Sequence, residues 1–148
     1  MSLSRMLING AATGISIKMA LYNDSLREQV INKQIVWQPY MGYLSDFFVP
    51  AAIVSGVGVY ASLINYRKRK IYNSSERKKL ENSLDNLVLG STLITASTFS
   101  VIEQINNFGS KKIDGDFNDI ICYFLGASLA YVAYNLSDVF EKNFKWEK

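Results

Sequence analysis

Polar and apolar positions are unevenly distributed along this chain. Charged residues make up 20% of it and, evenly spaced, would leave no long gap. Three windows nevertheless contain none: residues 47–66, 86–102 and 120–137, which are 20, 17 and 18 residues long. Each approaches the roughly 20 residues that a helix needs to cross hydrocarbon. A soluble helix of that length would carry a polar face at 3.6-residue spacing. FFVPAAIVSGVGVYASLINY offers little there beyond Ser and Gly. The pattern therefore predicts membrane spans rather than a soluble bundle, although the mean hydropathy is only +0.04.

A fourth segment, residues 6–22 (MLINGAATGISIKMALY), is shorter and contains Asn9 and Lys18. It is read as a short span, because Lys18 sits one turn from its end and can extend its ammonium group to the interface. A signal peptide fits less well: Arg5 supplies a basic start, but Asn, Gly and Thr dilute the apolar stretch and no A-x-A site follows. The expected fold is all-α, a polytopic transmembrane helical bundle of about four spans, near residues 6–22, 47–66, 84–105 and 120–137, in one domain.

The connections carry signals of their own. Ser25 and Glu28 have capping-box spacing, and Leu26, Val30, Ile31 and Ile35 then recur at helical intervals. This predicts a separate amphipathic helix in the outer interface, ended by Gln38-Pro39, with the rings of Trp37, Tyr40 and Tyr43 in the headgroup layer. Asn73 and Glu76 repeat the capping spacing, and neither Gly nor Pro occurs from 74 to 89. The third span should thus begin as a helix before it enters the membrane. Small residues mark faces for close helix packing: Ala51, Ser55, Gly58 and Ser62 in the second span, and Gly126, Ala130 and Ala133 in the fourth. The hydroxyls of the third span (Ser91, Thr92, Thr95, Ser97, Thr98 and Ser100) either bond to their own helix carbonyls or line a polar cavity.

Composition narrows the chemistry. The chain has 148 residues, the size of a single domain. It has no His, which removes imidazole acid-base chemistry, His-containing triads and His-ligated metals. Cys122 is its single cysteine, so an internal disulfide and a CxxC pair are excluded. A net charge of +3 is too mild to suggest nucleic acid. The basic residues are segregated, however. With four spans and the N-terminus inside, eleven Lys and Arg lie on the cytoplasmic side and four in the outer loops. That asymmetry, with an even number of spans, places both termini in the cytoplasm, and the membrane expected is the plasma membrane. Arg67, Lys68, Arg69 and Lys70 act either as a passive topology signal or as a contact for anionic lipid.

The chemistry-bearing stretch runs from 103 to 126 (EQINNFGSKKIDGDFNDIICYFLG). Glu103 and Gln104 end the third span, Asp119 opens the fourth, and 15 residues separate Glu103 from Asp119. Asp119, Tyr123, Gly126, Ala130 and Ala133 fall on one helix face. A carboxylate at the mouth of a tightly packed face suits a polar headgroup or a cation, with Lys111 and Lys112 available for an anion. Antiparallel third and fourth helices should bring Glu103 and Asp119 level, with a cation, a lysine or a shared proton between them. The alternatives are an Asp119 helix cap, a solvated acidic loop, and a pairing of Glu103 with Lys111 or Lys112. Asp114, Asp116 and Asn118 match the start of an EF-hand, but Asp119 and Leu125 occupy the positions of its turn Gly and bidentate Glu.

At these residues the chain resembles the VanZ-like membrane proteins. Their order is FxPxG, then a Glu and Gln at the end of a span, then D-x-x-D and N-x-x-G opening the last span. Phe48, Pro50 and Ala52 stand in the first motif, Glu103 and Gln104 in the second, and Asp116, Asp119 and Gly126 in the third. Ala52 replaces a Gly and Tyr123 stands where Asn is usual. The resemblance implies a protein of the cell envelope, in a family associated with resistance to a lipoglycopeptide antibiotic, and no particular reaction. The expected function is binding of a polar lipid or cell-wall precursor headgroup near the outer face, through Glu103, Gln104, Asp116, Asp119, Lys111, Lys112 and Tyr123. The partners expected are membrane lipids, with a membrane protein or a second copy of the chain in reserve, and no cofactor. The rival functions are a non-catalytic subunit of a larger membrane complex and a metal-assisted enzyme acting on a phosphate-containing lipid.

Overall fold

A computed structural model of the protein describes residues 3–32, 40–68, 71–109 and 117–143, and four helices account for nearly all of them. They are α1 (Leu3–Ile31), α2 (Tyr40–Lys68), α3 (Ser74–Gly109) and α4 (Phe117–Asn143). Side-chain contacts fix their directions. Thr13 meets Ser55 and Asn9 lies against Gly58, so α1 and α2 are antiparallel. Glu103 meets Tyr123 and Asp85 meets Tyr134, so α3 and α4 are antiparallel as well. The helices run up and down in turn. α2 and α4 each pack on the other three, while α1 and α3 lie on opposite flanks of that central pair.

Three of the helices are long and apolar enough to cross a membrane, over Tyr43–Lys68, Ser74–Ile105 and Phe117–Ser137. The distribution of polarity points the same way. The core is made of small apolar groups and one aromatic, Ala51, Val54, Ala61, Val88, Ala127 and Tyr134 among them. Asn9, Asn23, Asn65, Ser55 and Ser62 are buried with these residues, whereas Leu7, Ile15, Leu21, Leu93, Ile94 and Leu125 are more than half exposed. In water this arrangement would forfeit the hydrophobic gain of every exposed leucine. Facing hydrocarbon, it costs nothing.

α1 shows the inversion most plainly. Arg5, Asn9, Ser16 and Asn23 are buried and recur at intervals of four and seven, which keeps them on one face. Leu7, Ile15, Ile17 and Leu21 point outward. At 29 residues α1 is about 43 Å long and continues well past residue 22. The separate helix expected from Ser25 does not form. Residues 22–31 contain neither Gly nor Pro, so the intrahelical ladder runs on through the candidate capping box, as far as a bond from the Asn32 N–H to the Glu28 carbonyl (2.9 Å). Ile35, Trp37 and Gln38-Pro39, which belonged to that reading, lie outside the described residues.

The second capping box does form. The Glu76 N–H donates to Asn73 Oδ1 (2.9 Å) and the Asn73 N–H to Glu76 Oε2 (3.3 Å), which starts α3 well before its charge-free window. Ser91, Thr92 and Ser100 bond back to carbonyls of their own helix.

Candidate functional site

Two polar layers close the ends of the bundle. The basic end holds the α2–α3 connection and the start of α1. Arg5, only 3% exposed, has its guanidinium carbon 4.3 Å from the centre of the Tyr134 ring and Nη2 at 4.0 Å from Asp85 Oδ1. The Tyr134 hydroxyl donates to the same carboxylate oxygen (2.9 Å). Arg77 Nε lies 3.4 Å from Glu81 Oε1, one turn along α3. Arg67 and Lys68 are exposed just beyond this layer, and Arg69 and Lys70 lie outside the described residues.

The opposite, acidic end contains the residues singled out from the sequence. It is built on a close approach of α2 and α4. A Cβ on Gly126 would run into the Phe47 carbonyl, so only glycine allows this backbone contact. Pro50, inside α2, contributes by having no N–H to offer the Asp46 carbonyl four residues earlier, which loosens the helical ladder beside the contact. Three turns deeper, Gly58 is pressed by Asn9 and the Tyr134 ring. Ala51, Ser55, Gly58, Ser62, Gly126 and Ala130 are all buried, and Ala133 is half-buried.

Directly above the Gly126 contact, the Tyr123 hydroxyl donates to Glu103 Oε2 on α3 (3.0 Å) and lies 3.4 Å from Asp46 Oδ1 on α2. A phenol has one proton, and the shorter distance assigns it to Glu103. The Phe99 ring is tilted against that of Tyr123, with centroids 5.4 Å apart, and holds the ring in place. The group that reaches Glu103 is thus Tyr123, one turn further along α4 than Asp119. Asp119 itself is not the helix cap, because α4 begins at Phe117 and the carboxylate lies within the first turn, where the helix dipole favours it. Gln104 is exposed at the rim. Lys111, Lys112, Asp114 and Asp116 lie outside the described residues. Among the described residues, no group of three or more Asp, Glu or Cys side chains is placed to hold a metal ion.

Asp46 and Asn23 complete the layer, and sequence reasoning overlooked both. Asn23 is on the same face of α1 as Asn9, fourteen residues on. Counted along the antiparallel register from Asn9, it is level with Leu44–Ser45 on α2, beside Asp46, and with a point between Asp119 and Tyr123 on α4. Its side chain is 0% exposed, and neither Oδ1 nor Nδ2 has a hydrogen-bond partner. A buried amide left in this state costs about 1–3 kcal/mol. Beside it, Asp24 stands at one end of an apolar cleft of about 420 Å³ between α1 and α2, with Leu21, Ile17, Val49 and Ile53 along its walls.

No protein-family model matches the chain, and no curated protein or solved structure is significantly similar to it.

Proposed function

We propose that the chain is an integral membrane protein of the cell envelope that binds the headgroup of a polar lipid or cell-wall precursor at its acidic end. With both termini cytoplasmic, the orientation that the segregation of basic residues favours, that end faces outward. The observation that carries the reading is the tyrosine bridge. Tyr123 draws two carboxylates from different helices, Glu103 and Asp46, to a single hydroxyl, within two turns of the ends of the three apolar helices. Ionisable groups so placed are expensive to keep in a membrane protein and characteristically mark ligand pathways. The VanZ-like resemblance gives the same location for the site. The rival role as a subunit of a larger complex has less support, since most of the small residues that would receive partner helices are already buried within the chain.

Lipid retained through purification provides the test. Wild-type protein extracted in mild detergent should carry a defined polar lipid, identified by mass spectrometry. Glu103→Gln and Tyr123→Phe should each lower its occupancy by about tenfold, the equivalent of one charge-assisted hydrogen bond. Unchanged retention in both variants would defeat the proposal.

A further inference from the structure

We infer that the cleft between α1 and α2 seats one hydrocarbon chain of a phospholipid, drawn from the leaflet on the acidic side. This seat is distinct from the carboxylate layer and does not depend on the headgroup reading. The cleft has a volume of about 420 Å³, opens at the side of the bundle, and is lined by apolar side chains except at Asp24. Ala20 and Ala52, the smallest of them, are half-buried and form its floor, while Ile17, Leu21 and Ile53 are exposed and form its rims. A cavity of about 150 Å³ already admits benzene. The cleft thus has room for a chain.

Its depth matches one leaflet. Counted along the register set by Asn9 with Gly58 and Thr13 with Ser55, Asp24 is level with Tyr43–Leu44 on α2. Ile53, at the other end of the cleft, stands at the middle of α2. Between the two levels lie about ten residues of helix, or roughly 15 Å. That is half of the roughly 30 Å of hydrocarbon in a bilayer. The polar end of the cleft is therefore at the headgroups and its inner end near the midplane.

The lining selects the occupant. Short of Asp24 these side chains offer water no partner, and apolar cavities stay dry. An α-helix, about 10 Å across with its side chains, is too wide for a cleft of this length and volume. The rims are continuous with the hydrocarbon-facing surface that carries Leu7 and Ile15, so a lipid chain enters sideways without passing a polar group. Inside, it touches two helices instead of one and gains the dispersion of both walls. Charge selects the head. Lys18 is exposed three residues before Leu21, hence beside it on the rim. Its stem can carry the ammonium group toward the headgroups on the acidic side, where the phosphate of the seated lipid meets it.

The experiment uses the full chain in phosphatidylglycerol nanodiscs that contain a small fraction of phosphatidylglycerol with a diazirine halfway along one chain. After illumination, the labelled residues are mapped by mass spectrometry. Ile17, Leu21 and Ile53 should be labelled several-fold more than Val101 of α3 and Leu125 of α4, which are comparably exposed towards the same end of the bundle. Ala52→Phe should fill the cleft and bring this labelling down to the level of the other two helices. Ala20→Phe repeats the test from the opposite wall, so that a folding defect in one variant does not decide it. Lys18→Gln should lower the labelling of the cleft and leave that of Val101 and Leu125 as it was. Labelling spread evenly over the helices, labelling of the cleft that survives both phenylalanine variants, or labelling indifferent to Lys18→Gln overturns the inference. Glu103→Gln and Tyr123→Phe, which decide the headgroup reading, alter no residue of the cleft, so the two readings fail separately.

Discussion

Gly126 is the residue on which the acidic end depends most directly. A methyl group there would occupy the position of the Phe47 carbonyl oxygen, and backbone on both sides has little freedom to yield. Gly126→Ala should therefore force α2 and α4 apart, destabilising the protein by about 3 kcal/mol, at the upper end of ordinary overpacking. Gly56→Ala is the control. Nothing lies within 4 Å of a Cβ at Gly56, and alanine's better helix propensity should leave stability unchanged or up to about 1 kcal/mol higher. Thermal melting in one detergent compares the two. Gly126 could be read from the sequence because small residues at intervals of three and four leave a periodic trace. Asp46, Asp85 and Asn23 could not, since a polar residue bonded across helices leaves no period of its own. One signal was present: each charge-free window begins directly after an aspartate, Asp46, Asp85 or Asp119. Two of these three carboxylates receive or approach a tyrosine hydroxyl from α4.

Among the elements, α1 and α3 show when a capping pattern is decisive. Both contain a hydroxyl or amide residue followed three positions later by Glu. At Asn73 the chain has just left α2, the N–H groups of a new helix need partners, and the box supplies them reciprocally. At Ser25 the preceding turn already provides them, so the same spacing does nothing. Spacing could reveal the box but not whether the helix before it had ended. Asn73→Ala should cost about 1 kcal/mol locally. Hydrogen exchange at the amides of 74–77 should speed up several-fold while the melting temperature of the bundle barely moves. α1 also misled by its composition, which is too polar for a plain span and too apolar for a loop. Its asparagines and Arg5 are paired with other helices or directed among them, and that cannot be seen one segment at a time.

On the scale of the whole molecule, the two ends differ in the groups that their polar layers bring together. Arg5 and Asp85 are brought together at the basic end, while Glu103 and Asp46 share a hydroxyl at the other. The topology expected from this polarity can be tested in intact cells on a Cys122→Ser background. A cysteine replacing Lys112 should react with an impermeant thiol reagent, and one replacing Ser75 should be protected until the cells are opened. The reverse pattern would invert the protein and move the carboxylate layer to the cytoplasmic face. The inverted polarity of α1 has one more consequence, for biosynthesis. A helix bearing Arg5, Asn9, Ser16 and Asn23 along one face is a poor substrate for the insertion machinery while it is alone, since each of those groups would meet acyl chains. Of the three other helices only α2 and α4 pack on α1 and can shield the stripe, and α4 is the last of the four to leave the ribosome. Although α1 is made before the helices that cover it, it is therefore settled only after them, and the nascent protein must keep it at the bilayer surface or within the translocon until α4 has emerged.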